Sequence, residues 1–149
     1  FSSLLTMLFI DLDFQILPNL FNLYLGMLFL FYSLWHNPVA HWLIGGVIGF
    51  LFPLLIAYIF YKLRGKVGLG GGDIKLYGVL GIYLGPLGII LNIFISSFLG
   101  SLIGLSLILG KKLDKNTQIP FGPFIIVVAC MQIFFPKQFA DLISPLIQI

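Results

Sequence analysis

Charge is what this sequence has least of. Only 9% of its 149 residues are charged against 60% hydrophobic, no glutamate occurs, and all five acids are aspartates. That balance excludes a soluble globular domain. Apolar runs close to the roughly 20 residues that a membrane-spanning helix needs recur along the chain. No stretch alternates with period 2, which excludes a porin-type barrel. The expected fold is therefore all-α, a polytopic helical membrane protein with about six transmembrane segments, forming a single membrane-embedded domain over 1–149. A single cysteine, Cys130, stands in the apolar stretch FIIVVACMQIFF; neither a disulfide framework nor a cysteine metal site can be built within the chain, and Cys130 is expected to be a packing residue. No internal repeat stands out, which weighs against an inverted-repeat transporter. No metal and no cofactor are expected. The chain has no initiator Met and opens at Phe1 within an apolar stretch, so a fragment lacking an N-terminal region is expected.

The scarce charges are clustered. Lys62, Arg64, Lys66 and Lys75 flank a run of glycines, and Lys111, Lys112 and Lys115 form a second group. Under the positive-inside rule both are cytoplasmic loops, so the net charge of +3 reports topology and calls for no nucleic acid. Apolar segments are expected at Phe1–Ile10, Ile16–Trp35, His41–Tyr61, Asp73–Leu84, Leu87–Leu109 and Phe121–Phe135, with a weaker, interfacial tail from Pro136. Breaks are expected at His36-Asn37-Pro38 and at Gly85-Pro86. Gly45, Gly46, Gly49 and Pro53 read as packing and kink positions, and Gly100 and Gly104 as a small-xxx-small pair. His36 and His41 fall on the side away from the glycine run and are expected to be surface or packing residues.

The chemistry centres on Asp11, Asp13 and Asp73, which share one side of the membrane at its boundary. An acid at a helix centre costs roughly 2.5 to 3.5 kcal/mol, but at the edge that penalty has mostly gone, so interfacial helix caps, with Asp73 as an N-cap, stay open as a reading. The surroundings of Asp73 argue for more. Gly68, Gly70, Gly71 and Gly72 clear the approach and permit either a positive φ or a close-lying extended chain. Such a run suits a phosphate cradle or a carboxylate that cuts peptides. It ends Gly-Asp-Ile-Lys, without the Gly-Lys-Ser/Thr of a Walker loop, and puts a negative charge where phosphate would sit. Two carboxylates within hydrogen-bond reach cannot both ionise, which supplies an acid and a base together. In a helix Asp11 and Asp13 lie about 200° apart, so one of them at most faces Asp73.

FIDLDFQILPN (Phe9–Asn19), GLGGGDIK (Gly68–Lys75) and IPFGP (Ile119–Pro123) resemble, in this order, the three signature blocks of the type IV prepilin peptidase family, GxGD-type aspartic proteases of the membrane. The resemblance covers nearly the whole chain. It implies a bacterial inner-membrane endopeptidase that removes the basic leader of type IV prepilins and of the pseudopilins of type II secretion at the cytoplasmic face. The implied partners are the prepilin leader with its hydrophobic helix, and membrane lipid. The implied catalytic pair is Asp11 and Asp73, with Asp13 and Lys75 in supporting roles. Gly68, Gly70, Gly71, Gly72, Pro120, Gly122 and Pro123 form the implied substrate loops; the Pro-Phe-Gly-Pro block is open to two readings, an unwound helix entry or a tight turn. Two departures stand out: the zinc-binding paired cysteines common in the family are lacking, so methyltransferase activity is not assigned, and Asn19 replaces an acid. The alternatives from other classes are a small ion or solute carrier that uses its aspartates for a cation or protons, and a scaffold subunit whose aspartates only cap helices.

Overall fold

The computed structural model describes residues 19–65, 69–110 and 121–147, all side chains included except those of Phe21, Leu107, Ile108, Leu142, Ile143, Leu146 and Ile147. These residues form five helices: α1 (Asn19–His36), α2 (Val39–Arg64), α3 (Gly71–Leu109), α4 (Gly122–Phe134) and α5 (Pro136–Ile147). The all-α class is as expected. The first expected segment lies outside the described residues.

α3 is two helices joined at a sharp reversal. Gly85 has φ 73° and ψ −178°, and Pro86 follows it. In a straight helix Tyr77 and Ser96 would stand about 28 Å apart along the axis, yet their hydroxyl oxygens are 2.7 Å apart. The chain turns back on itself, and the expected break at Gly85-Pro86 is a hairpin. Gly85 is required twice over: its φ is left-handed, and a Cβ there would strike the ring of His41. The first limb, 71–84, is about 21 Å long and the second, 86–109, about 36 Å.

Helix order follows from the pins between elements. α1 runs parallel to the first limb, with Asn22 near Gly72 and Ser33 donating to the carbonyl of Ile82. α2 runs antiparallel to that limb and meets it backbone to backbone: a Cβ at Gly45 would run into Gly81 O, one at Gly81 into Gly45 O, and one at Gly49 into Tyr77 O. α4 lies antiparallel to the second limb, with Phe121 and Phe124 against Gly100 at one end and Gln132 against Asn92 and Gly88 at the other. The start of α1, the end of α2, the start of the first limb and the end of the second therefore share one end of the bundle, where Arg64 and Lys75 stand.

The outer surface of this fold suits lipid. α2 and the second limb of α3 are each long and apolar enough to cross a membrane. Along the 26 residues of α2 only Gly45, Gly49 and Pro53 are buried, a seam of every fourth position. Leu43, Ile44, Val47, Leu51 and Leu55 stay exposed. A helix apolar on every face with one small-residue seam belongs in a bilayer. The buried core sits elsewhere, between the two limbs and α4: Leu76, Leu80, Ile89, Ile125, Ile126 and Ala129.

Because Gly45 and Gly81 touch through backbone atoms that cannot swing aside, Gly45→Val or Gly81→Val is expected to cost about 1–3 kcal/mol or prevent folding. Gly71→Ala, where a Cβ meets nothing within 4 Å, is expected to cost less than about 1 kcal/mol. Thermal unfolding in detergent checks the contrast.

Candidate active site

Asp73 heads the buried stripe of the first limb. Positions 73, 76, 77 and 80 recur at helical spacing, and Asp73, Leu76, Tyr77 and Leu80 are 8%, 0%, 1% and 0% exposed. The expected N-cap position is corrected: the helix begins at Gly71, so Asp73 is inside the first turn. Ile74 N–H donates to Gly70 O at 3.3 Å to close that turn. Negative charge is favoured there, because the first N–H groups of a helix are unpaired and carry positive partial charge. A Cβ on Gly70 would come within 3.3 Å of Asp73 Oδ2, so the carboxylate lies back over Gly70 and the glycine leaves it room.

The glycines here act by smallness. Positive φ is found at Gly65 and Gly85 among the described residues, and not at Gly70, Gly71 or Gly72. Gly71 and Gly72 are helical, and open space lies over Gly71. Gly68, Asp11, Asp13 and Pro120 lie outside the described residues. The Gly122-Pro123 pair opens α4, with Pro123 in the first turn, where its missing N–H removes no helical bond. Phe124 N donates to Phe121 O at 3.1 Å, so α4 is wound from its first residues.

On the Asp73 face Tyr77 lies one turn further along, and Leu69 stands just before the helix. Both line a cavity of about 220 Å³ with Phe60 of α2, Ile93 and Ser97 of the second limb, and Phe121. Leu69 of the glycine run and Phe121 of the Pro-Phe-Gly-Pro block, about 50 residues apart in sequence, thus line one cavity together with Tyr77. Lys75 is on the other face, about 200° around the helix from Asp73. Its Nζ donates to Asn19 Oδ1 at 2.8 Å, and it opens onto a separate apolar groove of about 740 Å³ between α1 and α2.

Several polar residues around this site escaped the sequence reading. Asn22, 4% exposed, donates to Gly72 O at 3.4 Å and ties α1 to the peptide just before Asp73. Asn92 Nδ2 donates to Gln132 Oε1 and Gln132 Nε2 to Gly88 O, both at 2.9 Å. The Asn19/Asn22 pair at i, i+3 and lone amides within apolar runs were the available signals.

The model of the type IV leader peptidase family matches residues 1–105. A prepilin leader peptidase/N-methyltransferase of Xanthomonas campestris pv. campestris is 34% identical over 134 residues, covering 89% of this chain and 47% of that protein. The proteins of the same name from Pseudomonas putida and Aeromonas salmonicida are 32% identical over 139 residues and 35% over 127. These alignments cover 91% and 83% of this chain, and 48% and 43% of the relatives. No solved structure matches the chain. A helical membrane protein with a buried aspartate behind a glycine run is the class that the structure defines. The chain belongs to the type IV leader peptidase family, and it spans about half the length of the curated relatives it matches.

Removing one amide of the buried pair leaves the other stranded, so Gln132→Ala is expected to destabilise the bundle by about 1–3 kcal/mol. Replacing both, as Asn92→Leu with Gln132→Leu, is expected to cost less than the single change. A double-mutant cycle on thermal unfolding in one detergent measures the difference.

Proposed function

We propose that this chain carries the catalytic centre of a membrane aspartic endopeptidase that cuts the basic leader from type IV prepilins or pseudopilins at the cytoplasmic face of the bacterial inner membrane. The observation that carries the reading is the placement of Asp73: buried at a helix start, behind glycines, one turn before Tyr77, which lines a cavity with Leu69 and Phe121 of the two loop blocks. Family membership supports it. Asp11 is the proposed partner, with Asp13 in support.

In this mechanism one carboxylate of the pair takes a proton from water while the other, protonated, donates to the scissile carbonyl oxygen. The hydroxide formed adds to the carbonyl carbon, and collapse of the tetrahedral adduct breaks the C–N bond as a proton passes to the leaving amine. The open space over Gly71 gives an extended peptide a way to lie against the start of the limb. Lys75, held by Asn19, fixes α1 to that limb and anchors it at the positive side of the membrane.

The test is cleavage in nanodiscs of a synthetic peptide with a basic leader, a Gly before the cut and a hydrophobic helix after it. Asp73→Asn and Asp11→Asn are each expected to lose at least about a hundredfold in rate, the order that general acid–base catalysis supplies, and Asp13→Asn to keep part of the activity. Cleavage by Asp73→Asn at the wild-type rate would sink the proposal.

A further inference from the structure

A chain of polar groups runs through the apolar interior and ends one turn from Asp73. Tyr77 Oη and Ser96 Oγ are 2.7 Å apart. Ser96 Oγ lies 2.6 Å from Asn92 O and 3.2 Å from Ile93 O. A carbonyl only accepts, so the single hydroxyl hydrogen of Ser96 goes to the backbone and Ser96 accepts from Tyr77. The phenol hydrogen of Tyr77 is thereby committed to the second limb. The side chain of Asn92 then binds Gln132 of α4, which binds Gly88 O. Ser96 and Asn92 are both 0% exposed.

On its buried side the first limb gains from this arrangement a directional hold, as Asn22, Ser33 and Asn19 supply on its α1 side. The glycine contacts with α2 set how close the limb comes, but a glycine surface has no side chain to fix rotation about the helix axis. The apolar contacts of Leu76 and Leu80 are non-directional. A hydrogen bond is directional. Tyr77 stands four residues after Asp73, and long helical side chains lean toward the helix N-terminus, so its ring covers the turn that carries the carboxylate. Rotation of the limb that turned Asp73 away would have to break the bond to Ser96.

We propose that Tyr77 is a positioning residue for Asp73, acting through its hydrogen bond to Ser96; the proposal rests on the reading of Asp73 as a catalytic carboxylate. The site thereby gains two residues, on different limbs, that no loop motif contains.

The experiment uses the whole chain in nanodiscs, labelled with aspartate carrying 13C at its side-chain carboxyl. The signal missing from Asp73→Asn identifies Asp73. Tyr77→Phe and Ser96→Ala are each expected to move that signal and its titration midpoint, and the double variant to move them no further than either single one. Ser106→Ala, which removes an exposed hydroxyl bonded to Leu102 O of its own helix, is expected to leave them in place. In the cleavage assay both single variants are expected to lower kcat about tenfold or more with KM within about twofold, as misplacement of a reacting group does. An Asp73 signal and titration unchanged in Tyr77→Phe and in Ser96→Ala would overturn the positioning role, whatever the cleavage result. Cleavage by Asp73→Asn would instead overturn the catalytic reading beneath it, so the two failures carry different signatures.

Discussion

The backbone contact between α2 and the first limb of α3 is the constraint on which the rest of the bundle depends. In lipid, burying a leucine gains little, because the tails around it are as apolar as the protein. Close approach is what gains energy there, and close approach needs residues without side chains. Gly45 and Gly49 on α2 meet Gly81 and the carbonyl of Tyr77, which brings two main chains into van der Waals contact. That contact sets the limb's distance from α2. The reversal at Gly85, under the ring of His41, then lays the second limb against the first, and α4 docks on the second limb through Asn92 and Gln132. A withdrawal of α2 would therefore be felt in α4 through the second limb.

Closeness alone leaves rotation free, and the buried polar groups answer that. Asn22, Asp73, Asn92, Ser96 and Gln132 are costly in an apolar medium unless bonded. Each of the amides and the serine makes at least one bond to another element or to its own backbone. Asn22 Oδ1 and Asn92 Oδ1 find no hydrogen-bond partner among the described residues. The chain thus accepts imperfectly satisfied amides where they hold Gly72 and Gln132. Directionality is obtained at the expense of some stability, the usual exchange when polar groups specify one packing among several.

What could be read from the sequence was whatever depends on local pattern. Long apolar runs and the lack of alternation fixed the helical class. The Gly85-Pro86 break was legible because two residues that disfavour helix sit side by side, and Gly45 and Gly49 were recognisable as packing positions. The partners were not legible. Gly100, read as half of a helix-packing pair, receives the ring of Phe121, and nothing local to Gly100 says so. The glycines before Asp73 permitted either a positive φ or a close-lying extended chain. Gly71 and Gly72 are instead in the first turn of a helix. Asp73 was identifiable by its setting. Tyr77 and Ser96 were not, because a tyrosine and a serine 19 residues apart mean nothing until a hairpin brings them together.

The Asp-Ile-Lys order of this site looks at first like an ion pair in the making. Helix geometry separates the two: residues two apart face away from each other, whereas a spacing of three or four would set the ammonium beside the carboxylate. The limb accordingly carries different work on its two sides. Lys75 reaches Asn19 and with it the start of α1, while Asp73 shares the buried stripe of Leu76, Tyr77 and Leu80. An ammonium in the first turn opposes the positive end of the helix dipole, so its place there is not explained by helix stability. It is explained by what it holds, because the start of the limb must dock α1 on one side and bury a carboxylate on the other. A spacing of two residues lets one short limb do both.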